Sequence, residues 1–193
     1  MSDVPPAPLR RDAARNRERL IEAARRLFAE RGHDVALEEV ARAAGVSRTT
    51  LYRNWATREE LATTVFEDNA AQIDLRAAEL VGQPDGAARL LAFILDLQLA
   101  NRGLARFLSG ADERWFLAHS RRVEAAFEPL LDQGWVEGTV RPETDLQDLM
   151  LAVSLGESVA SVEDVTRRKE RSRRLRSVLH RALFTGYFED AQG

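Results

Sequence analysis

The residues best suited to recognition chemistry sit in one short run, Ser47-Arg48-Thr49-Thr50-Leu51-Tyr52-Arg53-Asn54. An Arg can fork onto guanine, a Thr can meet a base edge or a thymine methyl, and an Asn can pair with adenine. Ser and Tyr hydroxyls, and an Arg at a helix N-terminus, can hold backbone phosphates. Ser47, Arg48, Thr49, Thr50, Tyr52, Arg53, Asn54 and Arg58 are therefore the candidate DNA-binding set. For Arg58 a surface i,i+4 pair is the competing reading. Catalytic chemistry has no comparable foothold. The three histidines, His33, His119 and His180, are scattered, and there is no cysteine. No nucleophile elbow, phosphate loop, dinucleotide-binding glycine pattern or zinc-protease helix occurs. The expectation is no enzyme, no catalytic residue, no metal and no cofactor.

The elements that must position the run are legible beside it. Leu37, Val40, Ala41 and Ala44 fall on one face of a short helix. Gly45 can adopt the left-handed conformation that ends it. Val46 can plug the corner, and Ser47 can cap a second helix that buries Leu51. Two short helices about a glycine corner make a helix-turn-helix, whose second helix fits the major groove. An ordinary helical hairpin with a solvated polar face has the same spacing.

The segment Ala44-Gly45-Val46-Ser47, the Leu51-Tyr52 pair, Trp55 and the charged start Arg58-Glu59-Glu60-Leu61 together resemble the DNA-binding segment of the TetR family of bacterial transcriptional regulators. The stretch Arg19–Ala41 resembles the family's first helix and the entry to its second. The likeness covers roughly residues 15–65. It departs at Ala36, where the family usually has a Thr that caps the helix and touches phosphate, and at Asn54-Trp55, where the family has His-Phe. The resemblance implies an all-α protein with a helix-turn-helix head and a C-terminal ligand-binding and dimerisation domain.

With 193 residues, 45% hydrophobic and 31% charged, the chain is globular in composition. The lack of cysteine excludes disulfides and thiol chemistry. No apolar run approaches a membrane span, and the N-terminus lacks a signal-peptide core, so the expected location is cytoplasmic. Net charge is −3, but residues 1–58 hold 12 Arg against 8 acids, a balance of +4, leaving −7 for the remainder. A positive end on an acidic body suits contact with phosphates.

About nine helices are expected, in three parts: a disordered, Pro-rich arm over 1–11, a DNA-binding domain over 12–56 (motif about 37–56) and a ligand-binding and dimerisation domain over 57–193. Arg10, Arg11, Arg15 and Arg17 could follow a DNA backbone. The first helix is predicted from about Asp12 to Arg31 and stopped by Gly32. Thr57 with Glu60 predicts a capping box opening a long helix through Leu61, Val65, Phe66, Ala70, Ile73, Leu75 and Leu80. Residues 85–101 are apolar almost all round and should be central. A short helix is expected over Leu104–Leu108. Another follows from Asp112 to about Gln133, kinked or split at Pro129, with a loop over Gly134–Pro142. Thr144 and Gln147 suggest a second capping box. The eighth and ninth helices, from Thr144 or Asp145 and over Asp164–Phe188, are read as a four-helix dimer interface in which Ser154, Gly156 and Ala160 admit a partner. Leu175, Val178, Leu179, Ala182, Leu183 and Gly186 form the stripe of the ninth. The basic run from Arg167 to Arg176 is read as a solvated or intersubunit face, not a second DNA site.

The expected function is a homodimeric regulator, most simply a repressor, binding a palindromic operator in double-stranded DNA and released by an apolar small molecule. Candidate ligand-binding residues are Phe66, Ile73, Leu91, Phe93, Trp115, Phe116, His119, Phe127 and Leu155. A small-molecule-binding helical protein, or an adaptor dimer without DNA function, is the alternative.

Overall fold

The computed structural model describes residues 8–31, 35–101 and 113–186, with side chains for 11–31, 35–101 and 117–186. The described residues form eight α-helices: α1 (Pro8–Arg31), α2 (Leu37–Ala44), α3 (Arg48–Asn54), α4 (Arg58–Leu80), α5 (Gly86–Ala100), α6 (Glu113–Glu137), α7 (Leu146–Ala160) and α8 (Val165–Leu183). Extended pairing among them is limited to one antiparallel bridge, Val140 to Phe184. The all-α expectation holds. Gly32, His33, Asp34 and the short helix expected at Leu104–Leu108 lie outside the described residues.

Contacts divide the described residues into two compact units, one through Glu67 and the other from Asp68 onward. In the first, Leu20, Ala24 and Phe28 of α1 meet Leu37, Val40 and Ala41 of α2, Leu51 of α3, Trp55, and Leu61, Ala62 and Val65 of α4. Helix α1 starts at Pro8, earlier than the sequence suggests. Proline is tolerated there because the first turn has no use for its missing N–H.

The second unit packs Ile73, Ala77 and Leu80 with Leu90, Leu91, Ile94 and Leu95 of α5, Val123, Phe127, Leu130 and Leu131 of α6, Leu149 and Ala152 of α7, and Leu179 and Leu183 of α8. Leu75, assigned to the α4 stripe from sequence, is exposed instead. An Arg122–Asp74 ion pair at 2.5 Å ties α6 to α4.

Several boundaries differ from expectation for identifiable reasons. Helix α6 runs through Pro129 and Gly134 to Glu137. Pro129 and Ala125, whose carbonyl it leaves without an N–H partner, are both exposed, so water can satisfy that oxygen. The helix stops at Gly138, which has φ 70°. There Gly138 N–H donates to Trp135 O at 3.2 Å and Thr139 N–H to Gly134 O at 2.9 Å, the two bonds of a Schellman ending. Gly134 is a packing glycine: a Cβ there would lie 2.3 Å from Val140 Cγ2.

The cap of α7 is Asp145, not Thr144. The Asp145 and Asp148 carboxylates accept from each other's backbone N–H at 3.0 Å. Thr144 is buried and donates its hydroxyl to Leu183 O at 3.0 Å. Helix α8 ends at Leu183, short of the predicted Phe188, because Phe184 enters the bridge with Val140. Gly186, at φ 94°, is therefore not on its stripe.

Candidate nucleic-acid interface

Helix α2 ends in a Schellman corner at Gly45, where φ is 62°. Gly45 N–H donates to Arg42 O at 3.1 Å and Val46 N–H to Ala41 O at 3.0 Å. Any Cβ at Gly45 would also meet the Arg19 guanidinium at 2.7 Å. Ser47 then caps α3, accepting from Thr50 N–H at 3.2 Å, with the two hydroxyls 2.9 Å apart. Leu51 is fully buried beneath the helix. Ser47, Arg48, Thr49, Tyr52, Arg53 and Asn54 are exposed and Thr50 is half-buried. The side chains of Arg48, Thr49 and Arg53 make no hydrogen bond or ion pair among the described residues. The expected set thus shares one small, rigidly capped element, except Arg58, which opens α4 and is half-buried.

Two members are already engaged. Asn54 turns its amide back onto Thr50 O at 2.8 Å, using one of its two side-chain N–H donors. Tyr52, 47% exposed, donates its hydroxyl to Glu38 Oε1 at 2.5 Å. That bond, followed by the carboxylate's contact with its own backbone N–H, holds the Glu38 carboxyl below its ordinary range. The same bond pushes the Tyr52 phenol up. Sequence reasoning missed Glu38, and an acid in the first turn of α2, fourteen residues before Tyr52, gives no local signal of the pairing.

The surroundings brace α3. Trp55 is buried and donates its indole N–H to Thr64 Oγ1 at 2.8 Å. Arg17, expected to be available to a DNA backbone, stands over the Trp55 ring, 5.4 Å from its centroid. Arg11 and Arg15 are exposed; the Arg10 side chain lies outside the described set. Arg31 pairs with Glu39. The cap of α4 is a shifted box: Glu60 N–H donates to Thr57 Oγ1 at 3.2 Å, while the Glu60 carboxylate accepts from Ala56 N–H at 2.7 Å. Helix α2 has no side-chain cap, since Ala36 offers none.

The ligand candidates do not gather as neatly. Ile73, Leu91 and Phe127 are core residues of the second unit, with Phe93 half-buried against them. Leu91 also lines a cleft of about 20 Å³ with His180 and Arg176. His119 is half-buried, Phe66 belongs to the first unit, and the side chains of Trp115 and Phe116 lie outside the described set. Leu155 is 41% exposed and turned away from the core. Gly156 and Ala160, expected to admit a partner, are buried in their own unit: a Cβ at Gly156 would lie 2.2 Å from Leu95 Cδ2. Within the basic run, Arg176 pairs with Asp96 at 2.6 Å and Arg168 donates to Val162 O at 2.6 Å, so both work inside the chain. Among the described residues no cluster of three or more His, Asp or Glu could hold a metal ion.

Residues 20–65 match the model of the bacterial regulatory proteins, tetR family. A TetR transcription regulatory protein from Mycobacterium vanbaalenii is 29% identical, with 92% of this chain and all of that one covered at a TM-score of 0.72. A TetR transcriptional regulator from Streptomyces coelicolor is 26% identical over 89% of this chain and 99% of its own, TM-score 0.69. A ketosteroid transcriptional regulator of Mycobacterium tuberculosis shares the fold at 18% identity, covering 88% and 95%, TM-score 0.58. Among curated proteins none matches the sequence. A glycine corner, a capped and polar second helix, the family match over that same segment and whole-chain likeness to two TetR regulators lead to one conclusion: residues 20–65 carry the DNA-binding segment of the tetR family, and the chain as a whole is similar to TetR transcriptional regulators.

Proposed function

We propose that the protein is a homodimeric repressor whose first unit reads a palindromic operator and whose second unit pairs the subunits and binds an apolar effector. The observation that carries this is α3, a helix held by Gly45 and Ser47 with Leu51 beneath it and Arg48, Thr49 and Arg53 uncommitted on its outer face. Arg48, Thr49 and Thr50 meet base edges, while Ser47, Tyr52, Arg53 and Arg58 hold phosphates. Asn54 contributes through its side-chain oxygen or its second amide N–H.

Pairing runs through α7 and α8, which carry the exposed apolar residues Leu151, Leu155 and Val178. Those side chains take over the role assigned from sequence to Gly156 and Ala160. Support for an apolar effector is the fold this chain shares with a ketosteroid regulator and the apolar core of the second unit around Ile73, Leu91, Phe93 and Phe127. Effector and DNA then oppose one another by linkage. No catalytic step is assigned to the chain. No helix among the described residues is long and apolar enough to cross a membrane, which agrees with a cytoplasmic location.

Footprinting of the full chain on its own gene's upstream region tests the reading. Two protected half-sites about 34–36 Å apart on one side of the duplex are expected. A single unpaired site, or no protection on any promoter fragment, contradicts it.

A further inference from the structure

We infer that the Glu38 carboxylate is a built-in competitor for a DNA phosphate, occupying the place a phosphate takes and restraining DNA affinity through Tyr52. The inference rests on the reading of α3 and the start of α4 as the DNA face. The start of α2, the outer end of α3 and the start of α4 line one surface crevice of about 390 Å³, whose polar side chains are Glu38, Tyr52, Thr57, Arg58 and Glu59. Its donors suit an anion: the Leu37 and Glu38 N–H groups at the start of α2, where Ala36 offers no cap, the Tyr52 hydroxyl, and the Arg58 guanidinium at the head of α4, with the Glu59 carboxylate as the one other acid on the rim. In this structure the anion bonded to two of them is the protein's own. Glu38 accepts the phenolic proton at 2.5 Å and its own backbone N–H, and Arg48 adds a favourable charge.

A phenol has one proton to give. While Glu38 holds it, Tyr52 turns only lone pairs toward an arriving phosphate, and the carboxylate adds like charge. Docking therefore exchanges acceptors: the Tyr52 hydroxyl passes from carboxylate to phosphate, and Glu38 swings out. The restraint is independent of base sequence, because phosphate contacts carry no sequence information. Glu38 thus acts as a positioning residue that lowers binding to all duplexes alike.

The test measures dissociation constants of the full chain for a random-sequence duplex and for an operator recovered by selection. Glu38→Ala is expected to tighten both by roughly threefold to tenfold, the inverse of losing one phosphate contact. In the Tyr52→Phe background the same substitution should give less than half that gain on a logarithmic scale, because no hydroxyl remains to be released. A merely structural role as a first-turn acid would lower the melting temperature without tightening binding. Unchanged or weaker binding by Glu38→Ala overturns the inference, and so does an equal gain in both backgrounds, which would make Glu38 a bystander charge. Glu38→Gln serves the same measurement should the alanine variant lose its fold. Arg58→Ala separates the two levels: if it weakens binding while Glu38→Ala does nothing, only the competitor fails; if neither Arg58→Ala nor Tyr52→Phe matters, the assignment of the DNA face fails with it.

Discussion

In the first unit, α3 buries Leu51 and leaves an outer face without a large aliphatic side chain, Tyr52 being its one exposed ring. In the second, α7 does the reverse. It turns Gly156 and Ala160 inward against the core and leaves Leu151 59% and Leu155 41% exposed. The contrast separates two kinds of partner. A polar face with uncommitted Arg and Thr side chains matches a charged, hydrated surface, where charge-assisted hydrogen bonds carry the contact. An apolar face made by large aliphatic residues over an inward row of small ones matches another protein surface.

The largest effect that would sharpen this comparison comes from hollowing out the first unit. Leu51→Ala removes a fully buried side chain and should destabilise that unit by about 2–5 kcal/mol. DNA binding should vanish while the proteolytic resistance of the second unit survives; equal loss in both would erase the distinction. Next, Leu151→Arg with Leu155→Arg should shift the protein to monomers in analytical ultracentrifugation, at about 2 kcal/mol or more for a central contact. Retained dimers would remove α7 from the pairing surface. A matched pair of cap deletions is smaller. Ser47→Ala and Asp145→Ala should each lower stability by about 1 kcal/mol, yet only Ser47→Ala should weaken DNA binding.

The smallest effect is a pH dependence in the second unit. Burial holds the His180 imidazole below its ordinary value of 6.5. The unfolded chain therefore takes up the proton first as pH falls. His180's contribution is intact above 6.5 and declines as pH drops from there to the folded value. His180→Gln should remove that part of the decline in chemical denaturation between neutral and mildly acidic pH; an identical slope in both proteins would contradict it.

Legibility from sequence followed the same division. Gly45 and Ser47 act through bonds to residues within five positions, so their roles could be read from the neighbouring letters. Local reading failed where a distant residue decides. Gly134 looks like a helix stop, but Val140 folding back demands a small residue there, and Gly138 makes the turn. Thr144 looks like a cap, but the Leu183 carbonyl takes its hydroxyl and Asp145 caps instead. Gly156 looks like a surface for a partner, but Leu95 and Gln98 fill the space above it. At the DNA face, Glu38 was missed for the same reason, since its partner lies on another helix.

The central claim is that α3 reads bases while the start of α4 holds backbone. Affinity measured over a selected operator and its single-base variants, for Arg48→Ala and Arg58→Ala, tests it directly. Arg48→Ala should flatten discrimination at one base position by about 1–3 kcal/mol, and Arg58→Ala should weaken every duplex alike and lower the salt slope by about one. If both variants lose the same affinity on all sequences with base preference intact, α3 is not the reading element.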